Sequence, residues 1–269
     1  MVQEALGQID GWPASAAAGL VTREGTWAHG PRRQEFRWAS VTKLVTAMAT
    51  LVAAEEGSVD LDEPAGPQGS TVRHLLAHAS GLPFEGERPI ARPGQRRVYS
   101  NVAFDLLASL VAERAEMPFE DYLSAAVLDP LEMSDTRLDG RPSAGLCGPL
   151  DDLLRFAAEL LDPRLVADET LAEATTVAFP GLVGVVPDLG RFDPNDWGLG
   201  FELRDAKSPH WTGTRNSDRT FGHFGGSGSF LWVDPAVGAA CASLADLEFG
   251  DWAKDAWPRL SDAVLAELA

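Results

Sequence analysis

The amino-acid sequence predicts an α+β fold, with one antiparallel sheet assembled from the two ends of the chain and a helical lobe inserted between them. Strand-like text recurs near both termini, at 17–29 and again from 197 to 245, while the stretch between is dominated by helical periodicity broken by Pro- and Gly-bearing loops. Length agrees with this: 269 residues, 45% of them hydrophobic, are enough to close one full core. A single domain over 1–269 is expected, with a sheet lobe of about 1–57 and 197–269 and a helical lobe of about 58–196.

In chain order, Val2, Ala5, Leu6 and Ile9 have the spacing of a short amphipathic helix. AAGLV and TWAH flank Arg23-Glu24-Gly25, which reads as strand, tight turn, strand. FRWA leads to Ser40, after which VTKLVTAMATLVAAEE runs helically until Gly57 stops it. That helix is apolar nearly all round and is expected at the centre. Helical text follows from Ser70, Asn101, Phe119 and Asp151, with loops at 80–98 and 138–150. A loop-rich stretch at 177–196 precedes three β-like segments, WGLGFEL, GSFLWVD and VGAACASLA. The chain closes on a helix after Trp252, in which Pro258 marks a kink or a restart.

Composition narrows the function. The 22 basic and 40 acidic side chains leave a net charge of −18, a surface that repels nucleic acid and anionic bilayers, so neither is expected as a partner. No apolar run approaches the roughly 20 residues that cross a membrane. The N-terminus has Glu4 and Asp10 and no basic residue before Arg23, the wrong polarity for an export signal, so a cytoplasmic location is expected. Cys147 and Cys241 form no metal or redox motif and are expected to be reduced and packed. His74 and His78 have the spacing of a zinc helix, but Leu75 stands where a metalloprotease needs Glu, so no metal is expected. Glu55, Glu56, Asp60 and Asp62 read as a solvated face. Trp197 and Trp211 lie in loop-like text, where they are candidates to border a pocket.

Three short patterns can carry chemistry. Ser40 and Lys43, three residues apart, share a helical face, where a buried amine could take the hydroxyl proton; Ser40 equally suits a helix N-cap. Tyr99 and Asn101 point the same way along an extended segment, and Asn101 equally suits a cap for a helix starting at Val102. His223-Phe224-Gly225-Gly226 precedes the strand FLWVD, where glycines permit close substrate approach and an exposed N–H could serve an oxyanion; a plain hairpin turn looks similar.

Taken together and in this order, Ser40-x-x-Lys43, Tyr99-x-Asn101 and His223-x-Gly225 resemble the three signatures of serine hydrolases related to class C β-lactamases, DD-peptidases and β-lactamase-like esterases. LLAHASGLP, PGQRRVYSN, WGLGFE and GHFGGSGSF resemble that family's linking segments, so the resemblance spans about residues 18 to 245. It implies a β-lactamase/transpeptidase-like fold with the site between the lobes. It also implies roles: Ser40 as acylated nucleophile, Lys43 as its proton acceptor, and Tyr99 sharing the base role and protonating the leaving group. Asn101 would orient the substrate and Lys43, His223 would stand beside Tyr99, and the N–H groups of Ser40 and Gly226 would form the oxyanion hole. No cofactor is implied.

Penicillin-hydrolysing members commonly carry Lys at the position of His223 and a hydroxyl residue at that of Phe224, both suited to a substrate carboxylate. An imidazole offers less charge at neutral pH and a phenyl ring none. The expectation is therefore an esterase-like serine hydrolase that acts through an acyl-enzyme on small esters or amides, with weak or no β-lactamase activity, and in which Phe224 lines an acyl or alcohol pocket. The alternatives are a catalytically silent binding protein on the same fold and a DD-peptidase or β-lactamase.

Overall fold

Strands β1 (Ala16–Thr22) and β11 (Ala239–Ala245) come from opposite ends of the chain and pair antiparallel from Ala16–Ala245 to Thr22–Ala239. With β2 (Gly25–His29), β8 (Glu202–Leu203), β9 (Phe221–Gly225) and β10 (Ser229–Asp234) they form one antiparallel sheet, ordered β2-β1-β11-β10-β9-β8. The structure is a computed structural model and describes residues 1–268.

Both faces of this sheet are covered, so its central strands β1, β10 and β11 are buried along nearly their whole length. On one face Leu20, Phe230 and Trp232 pack under helices α1 (Val2–Leu6) and α8 (Asp251–Ala266), against Leu6, Trp257 and Leu260. On the other, Val21, Leu231 and Val233 meet α6 (Leu150–Leu161). Gly19 makes that approach possible, since a Cβ there would lie 2.6 Å from the Leu154 side chain. Helix α8 runs through Pro258 without a break.

Helix α2 (Thr42–Glu55) is buried from Thr42 to Ala53, as its all-round apolar character requires. It packs on α4 (Asn101–Ala115) and α5 (Phe119–Leu123), away from the sheet with which its sequence position groups it. Conversely α6, from the helical middle, lies on the sheet. Helix α3 covers only Val72–Leu76 of the expected 70–78, because His78 turns into the left-handed region at φ 53°. Three features fall where the sequence reading assigns no helix or strand. Helix α7 (Asp168–Ala174) follows α6, and β3 (Phe36–Arg37), β4 (Arg137–Leu138) and β5 (Leu146–Gly148) form a small sheet. A hairpin, β6 (Gly184–Val186) with β7 (Gly190–Phe192), occupies the loop-rich stretch. Cys147 and Cys241 are both free and buried.

The signature around His223 precedes the strand FLWVD, here β10, and is itself a strand, β9, joined to β10 by the turn at Gly226–Gly228. Alternation then decides where its side chains go. Phe221 faces the helical side, whereas Phe224 enters the opposite core, with its ring centroid 4.7 Å from that of Phe249, 5.8 Å from Trp211 and 6.0 Å from Trp257. The expectation that Phe224 lines a substrate pocket is corrected: a strand that aims His223 and Gly225 at the cleft must aim Phe224 away from it. Trp211 belongs to that same core and is 2% exposed. Phe224→Ala is therefore expected to lower the unfolding free energy in urea by about 3–5 kcal/mol, the usual cost of emptying a buried aromatic site; a loss below about 1 kcal/mol would place the ring outside the core.

Candidate active site

Ser40 sits in a single turn of 3-10 helix, Ala39–Val41, that leads into α2. It is not the N-cap of α2: Val41 holds that position, without a side-chain cap bond, so the Ser40 hydroxyl is spared that duty. Ala39 enters the turn at φ 44°, a region that residues with a Cβ seldom occupy. The turn is gripped from the sheet, where Ser229 Oγ donates to the Trp38 carbonyl at 2.7 Å and Gly225 presses against it. A Cβ at Gly225 would collide with the Trp38 carbonyl oxygen and come to 3.0 Å from Ser40 N.

Lys43, one helical turn on, is fully buried. Its Nζ lies 3.2 Å from Ser40 Oγ, 2.6 Å from Asn101 Oδ1 and 2.8 Å from the Ser143 carbonyl oxygen. Burial pulls its pKa down from 10.5 to about 7, against the pull of Asp105 upward. A neutral amine has two N–H groups and one lone pair. Asn101 Oδ1 and the Ser143 carbonyl use the two N–H groups, which leaves the lone pair for the Ser40 hydroxyl.

Asn101 is free to do this because Ser100 caps α4 in its place, accepting the Ala103 N–H at 3.0 Å. The Asn101 amide is fixed from outside: its Nδ2 donates to Glu85 Oε1 at 2.9 Å, and Arg141 holds Glu85 at 2.7 and 2.8 Å while also pairing with Asp105.

Tyr99, 9% exposed, reaches the same point, with its ring centroid 4.9 Å from Lys43 Nζ. Its Oη lies 2.9 Å from His223 Nε2. His223 Nδ1 accepts the Phe224 N–H at 2.8 Å, so the neutral imidazole carries its hydrogen on Nε2 and donates it to Tyr99. Burial, with Lys43 adding to it, lowers the His223 pKa to about 3, so the ring is uncharged. Burial raises the Tyr99 pKa, partly offset by a hydrogen bond with Ser40, and the phenol keeps its proton. Beneath His223, burial disfavours the Glu202 carboxylate, yet Lys207 and His210 hold its pKa at about 2; Trp211 Nε1 donates to it at 2.7 Å.

The structure thus brings together Ser40, Lys43, Tyr99, Asn101, His223 and Gly225, and the Gly226 turn adjoins them. A cavity of about 780 Å³ opens beside Ala39 and Gly226, with Asp188, Asp246, Glu248 and Arg37 in its wall. The sequence reading missed the Ser143 carbonyl, since a main-chain acceptor in a Pro-bearing loop leaves no signal, and also Glu85, Asp105 and Arg141, whose meeting depends on tertiary structure. His74 caps α3 through Thr71, with its ring nitrogen 2.9 Å from the Thr71 hydroxyl, and lies away from this cluster. Glu55, Glu56, Asp60 and Asp62 are all exposed, as a solvated face requires, and three of them also have partners: Glu55 accepts from Ala167 N–H and Thr170, Glu56 from Tyr122, and Asp62 pairs with Arg73.

Fold and site together define a β-lactamase/transpeptidase-like protein. The sequence profile of the β-lactamase family matches residues 9–264, and the chain belongs to that family. A crystal structure of a β-lactamase from Mycobacterium bovis is similar with a TM-score of 0.97 at 53% identity, covering 98% of this chain and 99% of that one. Esterase EstB of Burkholderia gladioli is 25% identical in a match that covers 93% of this chain and 86% of that protein. The D-alanyl-D-alanine-carboxypeptidase/endopeptidase AmpH of Escherichia coli is 28% identical over 158 residues, 45% of this chain; the match spans only 41% of AmpH's own length. No helix among the described residues is long and apolar enough to cross a membrane.

The Lys43 geometry has a consequence for stability. Between pH about 7 and 10.5 the unfolded chain holds a proton on Lys43 that the native state does not, so native stability rises with pH by up to about 1.4 kcal/mol per unit across that window. Lys43→Met removes this contribution. The unfolding free energy of the parent minus that of the variant, measured in urea at several pH values, should grow as pH rises from about 7; a difference independent of pH would contradict a neutral buried amine.

Proposed function

We propose that this protein is a serine hydrolase that transfers the acyl group of a small ester or amide to water through an acyl-enzyme on Ser40. The observation that carries the reading is the buried Lys43 amine, 3.2 Å from Ser40 Oγ, with both of its N–H groups committed elsewhere. In the first step the Ser40 proton passes to Lys43 Nζ and Oγ bonds to the acyl carbon, whose oxygen takes the negative charge. The N–H groups of Ser40 and Gly226 are the donors proposed to meet that oxyanion, a contribution of about 3 kcal/mol each. As the carbonyl reforms, the carbon–leaving-group bond breaks. The departing alcohol or amine takes a proton from Tyr99, which the Lys43 ammonium replenishes. Water then cleaves the Ser40 ester by the reverse proton path, releasing the carboxylic acid and restoring the hydroxyl. Lys43 is the base in this reading and Tyr99 the donor, because burial favours the neutral form of each.

Esters are favoured over penicillin-type substrates because the two positions at which penicillin-hydrolysing relatives suit a substrate carboxylate, 223 and 224, carry no charge here. His223 is neutral, Phe224 faces the far core, and carboxylates outnumber Arg37 in the cavity beside Gly226. The names of two relatives, an esterase and a carboxypeptidase/endopeptidase, fit acyl transfer to water.

Turnover of a short-chain p-nitrophenyl ester and of nitrocefin tests the assignment. The ester is expected to be hydrolysed and nitrocefin hardly at all, and efficient nitrocefin hydrolysis without esterase activity would reverse it. Ser40→Ala should lose about 10⁴-fold or more in ester turnover, and intact-protein mass should show an acyl group on the parent and none on the variant. Absence of any acyl adduct on the parent across a panel of donors would instead favour a silent binding protein. The rate of acylation should rise as pH passes upward through about 7, where Lys43 loses its proton; a rate that falls over that range would exclude Lys43 as the acceptor.

A further inference from the structure

His78 touches none of the atoms that react, yet it is built around one of the residues that does. It is fully buried at the end of α3, with a left-handed backbone, φ 53°, a region that residues with a Cβ seldom occupy. This turn ends the helix and presents two acceptors to the segment that carries Tyr99. The His78 carbonyl accepts the N–H of Val98 at 2.8 Å, and its ring Nδ1 accepts the N–H of Ser100 at 3.2 Å. The two donors are the residues on either side of Tyr99.

The ring completes the arrangement. Its centroid lies 4.6 Å from that of Tyr99 and 4.6 Å from that of Trp197, with the indole nearly perpendicular at 87°. Trp197 in turn lies 5.2 Å from His223, the donor to the phenol oxygen. His78 Nε2 is buried without a hydrogen-bond partner, so the ring is held at this place by Nδ1 and by packing. Burial, reinforced by Lys43, His223 and Arg97, keeps the imidazole uncharged, which preserves Nδ1 as an acceptor. The N–H of Ser100 lies outside α4 and would otherwise be a buried, unpaired donor.

We infer that His78 is a positioning residue for Tyr99: by accepting the N–H groups of Val98 and Ser100 it brackets the phenol's backbone and keeps Oη within reach of Ser40 and His223. The kinetic part of this inference rests on the acyl-transfer reading above; the bracket itself does not. His78→Phe keeps an aromatic ring of similar size and removes the acceptor, whereas His78→Asn supplies an acceptor on a residue that tolerates left-handed backbone. With the full chain and a short-chain p-nitrophenyl ester, kcat should fall about 100-fold in His78→Phe while KM changes less than about threefold, the signature of a displaced reacting group. In His78→Asn, kcat should stay within about tenfold of the parent, because the bond to Ser100 is retained.

Hydrogen–deuterium exchange reads the bracket without any activity. The Ser100 amide should be protected in the parent and in His78→Asn, and should exchange freely in His78→Phe. A His78→Phe protein with parental kcat, equal losses of kcat in both variants, or a freely exchanging Ser100 amide in the parent would overturn the inference. If His78→Phe does not fold, His78→Asn decides: Ser100 protected with kcat near parental supports the bracket, and Ser100 protected with a large loss of kcat rejects it. A parent that turns over no ester and takes up no acyl group would sink the acyl-transfer reading, and the exchange measurements would still decide the bracket.

Discussion

The site is organised around one amine that the fold keeps dry. A Lys side chain ordinarily holds its proton far above neutral pH, and only removal from water makes it a base near pH 7. Here Lys43 is enclosed by α2, α4 and the loop before α6, and each wall supplies one polar partner: Ser40 from the turn before α2, Asn101 from the start of α4 and the Ser143 carbonyl from the loop. Two of these partners can only accept from an amine. That leaves the hydroxyl as the one group able to donate to the nitrogen, which turns a buried polar cluster into a directed proton path.

The sheet supplies the other half. Because β9 is a strand, His223 and Gly225 fall on one face and Phe224 on the other, so one element presents a histidine to Tyr99, a bare backbone to the Ser40 turn and an anchor to the core under α8. The amide of Phe224 fixes which imidazole nitrogen carries hydrogen, and that choice makes the phenol oxygen an acceptor from His223 and leaves its own proton to point elsewhere.

Much of this was legible in the sequence, for local reasons. Apolar periodicity around Lys43, the Gly57 stop and the β-rich text near both termini gave the central helix and the sheet. The three signatures named the residues that meet. What remained hidden depends on tertiary structure or on the main chain. No pattern announces that the Ser143 carbonyl faces Lys43, or that Arg141 reaches Glu85 and Asp105. The pleat sense that sends Phe224 into the far core follows from alternation once β9 is known to be a strand, but Gly225-Gly226 reads as a turn. The short strands β3, β4 and β5 carry too few residues to show a period.

Whether Lys43 is neutral at physiological pH can be read directly by nuclear magnetic resonance titration of lysine side chains, since the chain has only three, Lys43, Lys207 and Lys254. The account predicts that the Lys43 resonance titrates near pH 7. A titration near its ordinary value of about 10.4 would mean that the amine stays charged, and the proton path from Ser40 would be contradicted.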